Sequence, residues 1–183
     1  MLERKSALAT ATPYRSDVLR MGEARGFSLI QAAGNLKAIA EVAGPLPEKV
    51  GIAMAGGGRT VMRTGPEQFW FVGPESDDLA SRLANRCAVT PLSHSRTRMF
   101  LEGAPARDVL AKGIPLDFHE SVFKPATFAQ TGLHHTPVLV HCVSETRFEV
   151  YALRTFSVSI WHWFADAALE FAQLGLSELF DPP

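Results

Sequence analysis

The chain has 183 residues, 46% of them hydrophobic and 20% charged, with a formal net charge of -1. That much apolar material can bury a proper core without cross-links, so one domain, or two half-domains sharing a core, is expected. The near-zero charge provides no general field for a polyanion and argues against a nucleic-acid partner. Cys87 and Cys142 are the only cysteines and lie outside any Cys-x-x-Cys pair, which argues against a disulfide framework or a structural zinc.

Residues 1–22 have neither helical nor strand period and contain Pro13, so they read as an N-terminal arm, either free or draped on a partner. No apolar run approaches a membrane span and the start lacks the long apolar segment of a signal peptide. A cytoplasmic chain with no membrane attachment is therefore expected.

A first half is expected over 23–88. Phe27 to Ala32 reads as a strand, and Asn35 caps a helix striped by Leu36, Ile39, Ala40 and Ala43 and ended by Gly44-Pro45. Val50 to Met54 and Thr60 to Thr64 read as two strands joined through Gly56-Gly57-Gly58. No Gly-Lys-Ser/Thr follows those glycines, so they predict a hairpin turn rather than a phosphate loop. Phe69 to Val72 is the next strand, and Ser76 is placed to cap a helix running to about Asn85.

A second half, 89–175, repeats this order. Subtracting 70 lays Thr97, Met99, Leu101, Val109, Pro115 and Leu116 over Phe27, Leu29, Gln31, Ile39, Pro45 and Leu46. Alternation from Arg96 to Glu102 puts Thr97, Met99 and Leu101 on a core face and Arg96, Arg98, Phe100 and Glu102 on the other. Gly103 turns the chain and Pro105 opens a helix striped by Ala106, Val109 and Leu110. Paired strands follow over Thr127 to Gly132 and Pro137 to Val143, then a last strand over Phe148 to Leu153. Thr155 is read as the cap of a long final helix, and 176–183 as a tail. The fold class is α+β: duplicated strand-helix-strand-strand-strand-helix units forming antiparallel sheets covered by helices.

Chemistry-bearing residues are scattered. His134 and His135 would point to opposite faces of a strand, and His141 brings no third ligand at a metal-like spacing. Ser93-His94-Ser95 lacks a Gly-x-Ser-x-Gly turn and an orienting acid, so it reads as a polar lead into a strand. No glycine fingerprint of a dinucleotide fold occurs. Arg96 and Arg98, two fixed forks on one strand face, suit solvent or the acidic surface of another subunit ahead of a substrate carboxylate. Trp161 beside His162 reads as an exposed aromatic strip. His94, Arg96, Arg98 and Trp161 are thus the candidate subunit-interface residues, and no residue is assigned to catalysis, cofactor or metal.

Two stretches, SHSRTRMFLEGAPARDVLAKGIPLDFH and AQTGLHHTPVLVHCVSETRFEVYALRTFSVSIWHWFADAA, together with ERKSAL near the start, carry a family likeness. They resemble the gamma subunit of heterotetrameric bacterial sarcosine oxidase. TGPEQFWFVGP is similar to a turn and strand in the folate-binding domain of glycine-cleavage aminomethyltransferases, a related fold. The resemblance implies an accessory chain, without flavin, in a complex with alpha, beta and delta subunits. That complex demethylates sarcosine oxidatively to glycine, with tetrahydrofolate accepting the one-carbon unit. It further implies that FAD, FMN, NAD and tetrahydrofolate belong to the partner subunits and that this chain holds no cofactor. The alternative is a stand-alone module of the same fold that binds folate or another small ligand.

Overall fold

The computed structural model describes residues 5–172; the first residues of the arm and the tail at 176–183 lie outside them. In chain order the strands and helices are β1 (Tyr14–Arg15), β2 (Arg20–Glu23), β3 (Phe27–Ala33), α1 (Leu36–Ala43), β4 (Ala53–Gly56), β5 (Arg59–Gly65) and β6 (Gln68–Pro74). There follow α2 (Leu79–Leu83), β7 (Ala88–Pro91), β8 (Arg96–Glu102), α3 (Ala106–Ala111), β9 (Thr127–Leu133), β10 (Thr136–Cys142), β11 (Arg147–Leu153), α4 (Ser157–Ala167) and α5 (Leu169–Ala172).

Two antiparallel sheets result. One has the order β4-β5-β6-β3-β7 and the other β1-β2-β8-β11-β10-β9. Within them β3-β6-β5-β4 and β8-β11-β10-β9 are the same arrangement, so the duplication inferred from the residues is present in the topology. The sheets lie face to face through Phe27, Leu29, Met62, Trp70, Leu139 and Tyr151. Ile39 of α1 and Leu79 and Leu83 of α2 cover the outer face of the first sheet. Val109 and Leu110 of α3 and Ile160, Trp161 and Phe164 of α4 cover the outer face of the second. The order of layers is helix, sheet, sheet, helix, an α+β sandwich whose strands bury both faces.

The strand equivalence differs by one residue from the offset of 70. Phe27 and Leu29 face the other sheet, whereas Thr97, Met99 and Leu101 face helices; the helix-facing residues of β3 are Ile30 and Ala32. Ile30 pairs with Phe71 as Met99 pairs with Val150, which sets the strand offset at 99 minus 30, or 69. Gly34 and Gly103, again 69 apart, turn the chain at φ +142° and +140°. A single extra residue before α3 restores 70 for Ile39 and Val109. A one-residue slip reverses every face of a strand yet is nearly invisible in a helix.

The arm is a second correction. β2 pairs with β8 from Arg20↔Glu102 to Glu23↔Met99, and β7 pairs with β3. Each half therefore donates its leading strand to the other half's sheet. Leu8, Leu19 and Met21 are buried in the core beneath α4. Other local readings also shift. Asn35 accepts hydrogen bonds from the amides of Lys37 and Ala38 as an N-cap should. α2, however, starts at Leu79, whose amide is held by Asp77 Oδ1 (3.0 Å), rather than at Ser76. Thr155 lies in a 3-10 turn before α4. Gly57 and Gly58, at φ +59° and +76°, form the hairpin turn between β4 and β5. His134 and His135 are likewise a turn, between β9 and β10, and His134 sits in the left-handed region at φ +51°.

Candidate functional site

Alternation along β8 sends Arg96 and Arg98 into the layer between the sheets, and alternation along β11 sends Glu149 and Tyr151 to meet them. Arg98 donates to Glu149 through Nε (3.0 Å) and Nη2 (2.6 Å), a two-pronged pair. Tyr151 Oη donates to Glu149 Oε2 at 2.8 Å. His141, directly across from Glu149 on β10, brings Nδ1 to 3.9 Å from the same oxygen. That is too long for a hydrogen bond, and Nδ1 is buried without a partner. The Arg98 guanidinium also lies 5.7 Å from the ring of Phe27 on the facing sheet, so this cluster ties the two halves together.

The electrostatics follow from this packing. Burial by itself would raise the Glu149 carboxyl, but the neighbouring imidazole, the Arg98 fork and the Tyr151 hydroxyl outweigh it and hold it at about 2. Given the 3.9 Å separation, the guanidinium and the hydroxyl carry that effect. Burial, followed by the adjacent carboxylate charge, pushes Tyr151 well above its usual value. A carboxylate so fixed and a phenol so firmly protonated exchange no proton near neutrality; the cluster holds charge in place rather than moving it.

The four candidate interface residues are not brought together. His94 is exposed in the turn before β8. Arg98 is engaged inside the molecule with Glu149, leaving its fork unavailable to an outside carboxylate. Trp161 is 5% exposed in the core under α4, on the opposite side of the second sheet, so the aromatic strip with His162 does not form. Trp163 is the half-buried indole, packed on Phe164 and His134. Of the four, Arg96 has a guanidinium with no carboxylate partner among the described residues, and it lies 5.7 Å from the ring of Trp70.

Sequence reasoning weighed His141 only as a metal ligand and did not join Glu149 and Tyr151 to Arg98. Their signal was a glutamate inside the apolar run Phe148 to Leu153, sharing a face with a tyrosine two residues on. Ser93 contributes no nucleophile: its Oγ accepts from the Leu29 amide (2.9 Å) and so tethers the start of β8 to β3. Among the described residues no three of His, Cys, Asp and Glu gather as a metal site requires, and no helix is long and apolar enough to cross a membrane.

The model of the sarcosine oxidase, gamma subunit family matches residues 39–170. The chain belongs to that family. Its match to the gamma subunit of sarcosine oxidase from Corynebacterium sp. (strain P-1) is 32% identical over 155 residues, covering 80% of this chain and 76% of the relative. The gamma subunit from Arthrobacter sp. is 33% identical over 147 residues, covering 77% and 72%. Among solved structures, heterotetrameric sarcosine oxidase from Corynebacterium sp. U-96, in complex with pyrrole 2-carboxylate, contains a chain similar to this one. Its TM-score is 0.84 at 26% identity, over 92% of this gamma-family chain and 96% of that one. The glycine cleavage system aminomethyltransferase T of Bartonella henselae shares the fold at TM-score 0.61 and 15% identity, over 80% of this chain and 45% of its own.

Proposed function

We propose that this gamma-family chain is an accessory, non-flavin subunit of a heterotetrameric sarcosine oxidase with alpha, beta and delta partners. The complex oxidises the N-methyl group of sarcosine, releases glycine, passes the one-carbon unit to tetrahydrofolate and the two electrons through flavin to oxygen, giving hydrogen peroxide. The partners carry FAD, FMN, NAD and tetrahydrofolate. What supports this reading is the near end-to-end match to a chain of a heterotetrameric sarcosine oxidase. The internal ionic cluster agrees with it: the most strongly perturbed groups spend their hydrogen bonds on one another. The test is affinity purification of the tagged chain from its native cell. Large flavin-bearing chains are expected to elute with it in fixed proportion, and sarcosine oxidation is expected only in that fraction. Elution of the chain alone, or turnover of an aminomethyl donor by the chain alone, would overturn the reading.

A further inference from the structure

Three arginines reach into or beside the layer between the sheets, and two of them have a carboxylate. Arg59 is paired with Asp77 and Arg98 with Glu149. Arg96 has none among the described residues. Its Nη1 reaches only the carbonyl (3.3 Å) and hydroxyl (3.2 Å) of its neighbour Ser95, while its guanidinium lies over Trp70. The consequences are opposite in sign: hydrogen bonding to Asp77 raises Arg59, whereas burial pushes Arg96 below the usual arginine range. A partly desolvated cation with no carboxylate in contact is costly to maintain, and an anion that pairs with it offsets part of that cost.

There is space for one. Arg96, Trp70, Gln130, Leu139 and Tyr151 line a cavity of about 330 Å³ between the sheets. That is at the small end of the range for ligand clefts, roughly 300–1,000 Å³. Its walls are mixed, with Gln130 and Thr131 beside the apolar Trp70, Pro137 and Leu153; Trp70 is fixed by its indole N–H donating to Gln31 Oε1 (3.1 Å), and Leu139 and Tyr151 are almost wholly buried. Beyond Arg96 a second cavity, of about 210 Å³, gathers Lys5, Arg96 and Arg154 with Glu75, while Arg25 and Glu23 are paired with each other, so that among the described residues its cations outnumber its carboxylates.

We propose that the cleft between Trp70 and Arg96 binds a small molecule carrying a carboxylate on a flat apolar body. The guanidinium fork takes the carboxylate in the plane that such a pair prefers, and the body lies along Trp70 and Leu139. The hollow on the other side of Arg98 makes a useful contrast. It is larger, about 490 Å³, but its arginines, Arg59 and Arg98, are already neutralised. The ligand site is independent of whether the chain acts as an accessory subunit, because co-purification with flavin-bearing chains is measured separately.

The test uses the purified full chain, labelled with ¹⁵N, and benzoate as the probe, with benzyl alcohol as its uncharged match. The Trp70 indole signal, assigned with Trp70→Phe, is expected to shift saturably with benzoate. Affinity is expected to fall at least tenfold for benzyl alcohol and in Arg96→Gln. Arg96→Lys retains the charge without the fork and is expected to bind more weakly than the parent chain. It replaces Arg96→Gln as the deciding variant should the latter not fold. Equal affinity in the arginine variants, or no saturable shift at millimolar benzoate, would overturn the proposal. So would failure of the intact complex to bind benzoate when the free chain does, since a partner would then own the cleft.

Discussion

Glu149 is 4% exposed, and its charge is held by Arg98 and Tyr151 rather than by water. Breaking such a pair from one side leaves the other charge buried alone. Arg98→Ala is therefore expected to cost about 3–5 kcal/mol of folding stability, measured by urea denaturation, and Arg98→Ala/Glu149→Leu to regain most of it. An interface role for Arg98 predicts the opposite, weakened assembly with an intact fold. The pH dependence has a definite sign. The folded carboxyl titrates at about 2 against an ordinary 4.5, so its contribution is complete above the unfolded value. It is lost as pH falls from there through the folded value. Multiplying that shift by about 1.4 kcal/mol per pKa unit gives about 3–4 kcal/mol. The stability of the parent chain is thus expected to decline over that acid window by about this amount more than that of Glu149→Gln, as read from urea midpoints at several pH values.

Among the elements, β2 and β7 decide how the halves are joined. Each is four residues long and each pairs with the first long strand of the other half. Gly103 shows how closely the arm is fitted, since a Cβ there would come within 2.0 Å of the Val18 carbonyl oxygen. At φ +140° the position would be strained for any other residue even without that contact. Removing residues 1–23 uncovers Met99, Leu101 and Trp161, which pack with Leu19 and Met21. The truncated chain is expected to lose its cooperative thermal transition, as followed by circular dichroism. An unchanged melting curve would restore the free-arm reading. The strands and helices of 8–11 residues were largely legible beforehand because alternation and the helical stripe are properties of neighbours. β1 and β2 were not, because two and four residues interrupted by Gly22 are too short to display a period.

At the scale of the whole molecule, the exchange of leading strands makes each half incomplete. The layer between the sheets draws on both: Phe27, Met62 and Trp70 from one, Phe128, Leu139 and Tyr151 from the other. Backbone bonds from Ala53 N to Ala126 O (2.8 Å) and from Phe128 N to Gly51 O (2.8 Å) fasten the sheets at one edge. Fragments 1–91 and 92–183 are accordingly expected to be unstructured apart and to regain strand signal on mixing, measured by circular dichroism. Independent folding of either fragment would show that the shared layer is dispensable.

The amino-acid sequence alone determined the α+β class, the doubled order of elements, the caps and turns at Asn35 and Gly56 to Gly58, and the likeness to the gamma subunit family, since each depends on residues close together in the chain. Tertiary structure alone decided which sheet each leading strand joins and which arginine is neutralised. Arg20 and Glu102 are 82 positions apart, and the backbone of β2 offers the same donors and acceptors to any partner. The burial of Leu19 and Met21 in the core under α4 favours β8. Arg96 and Arg98 look alike on one strand face. The facing residues of β11 give Arg98 its carboxylate and leave Arg96 beside an open cleft.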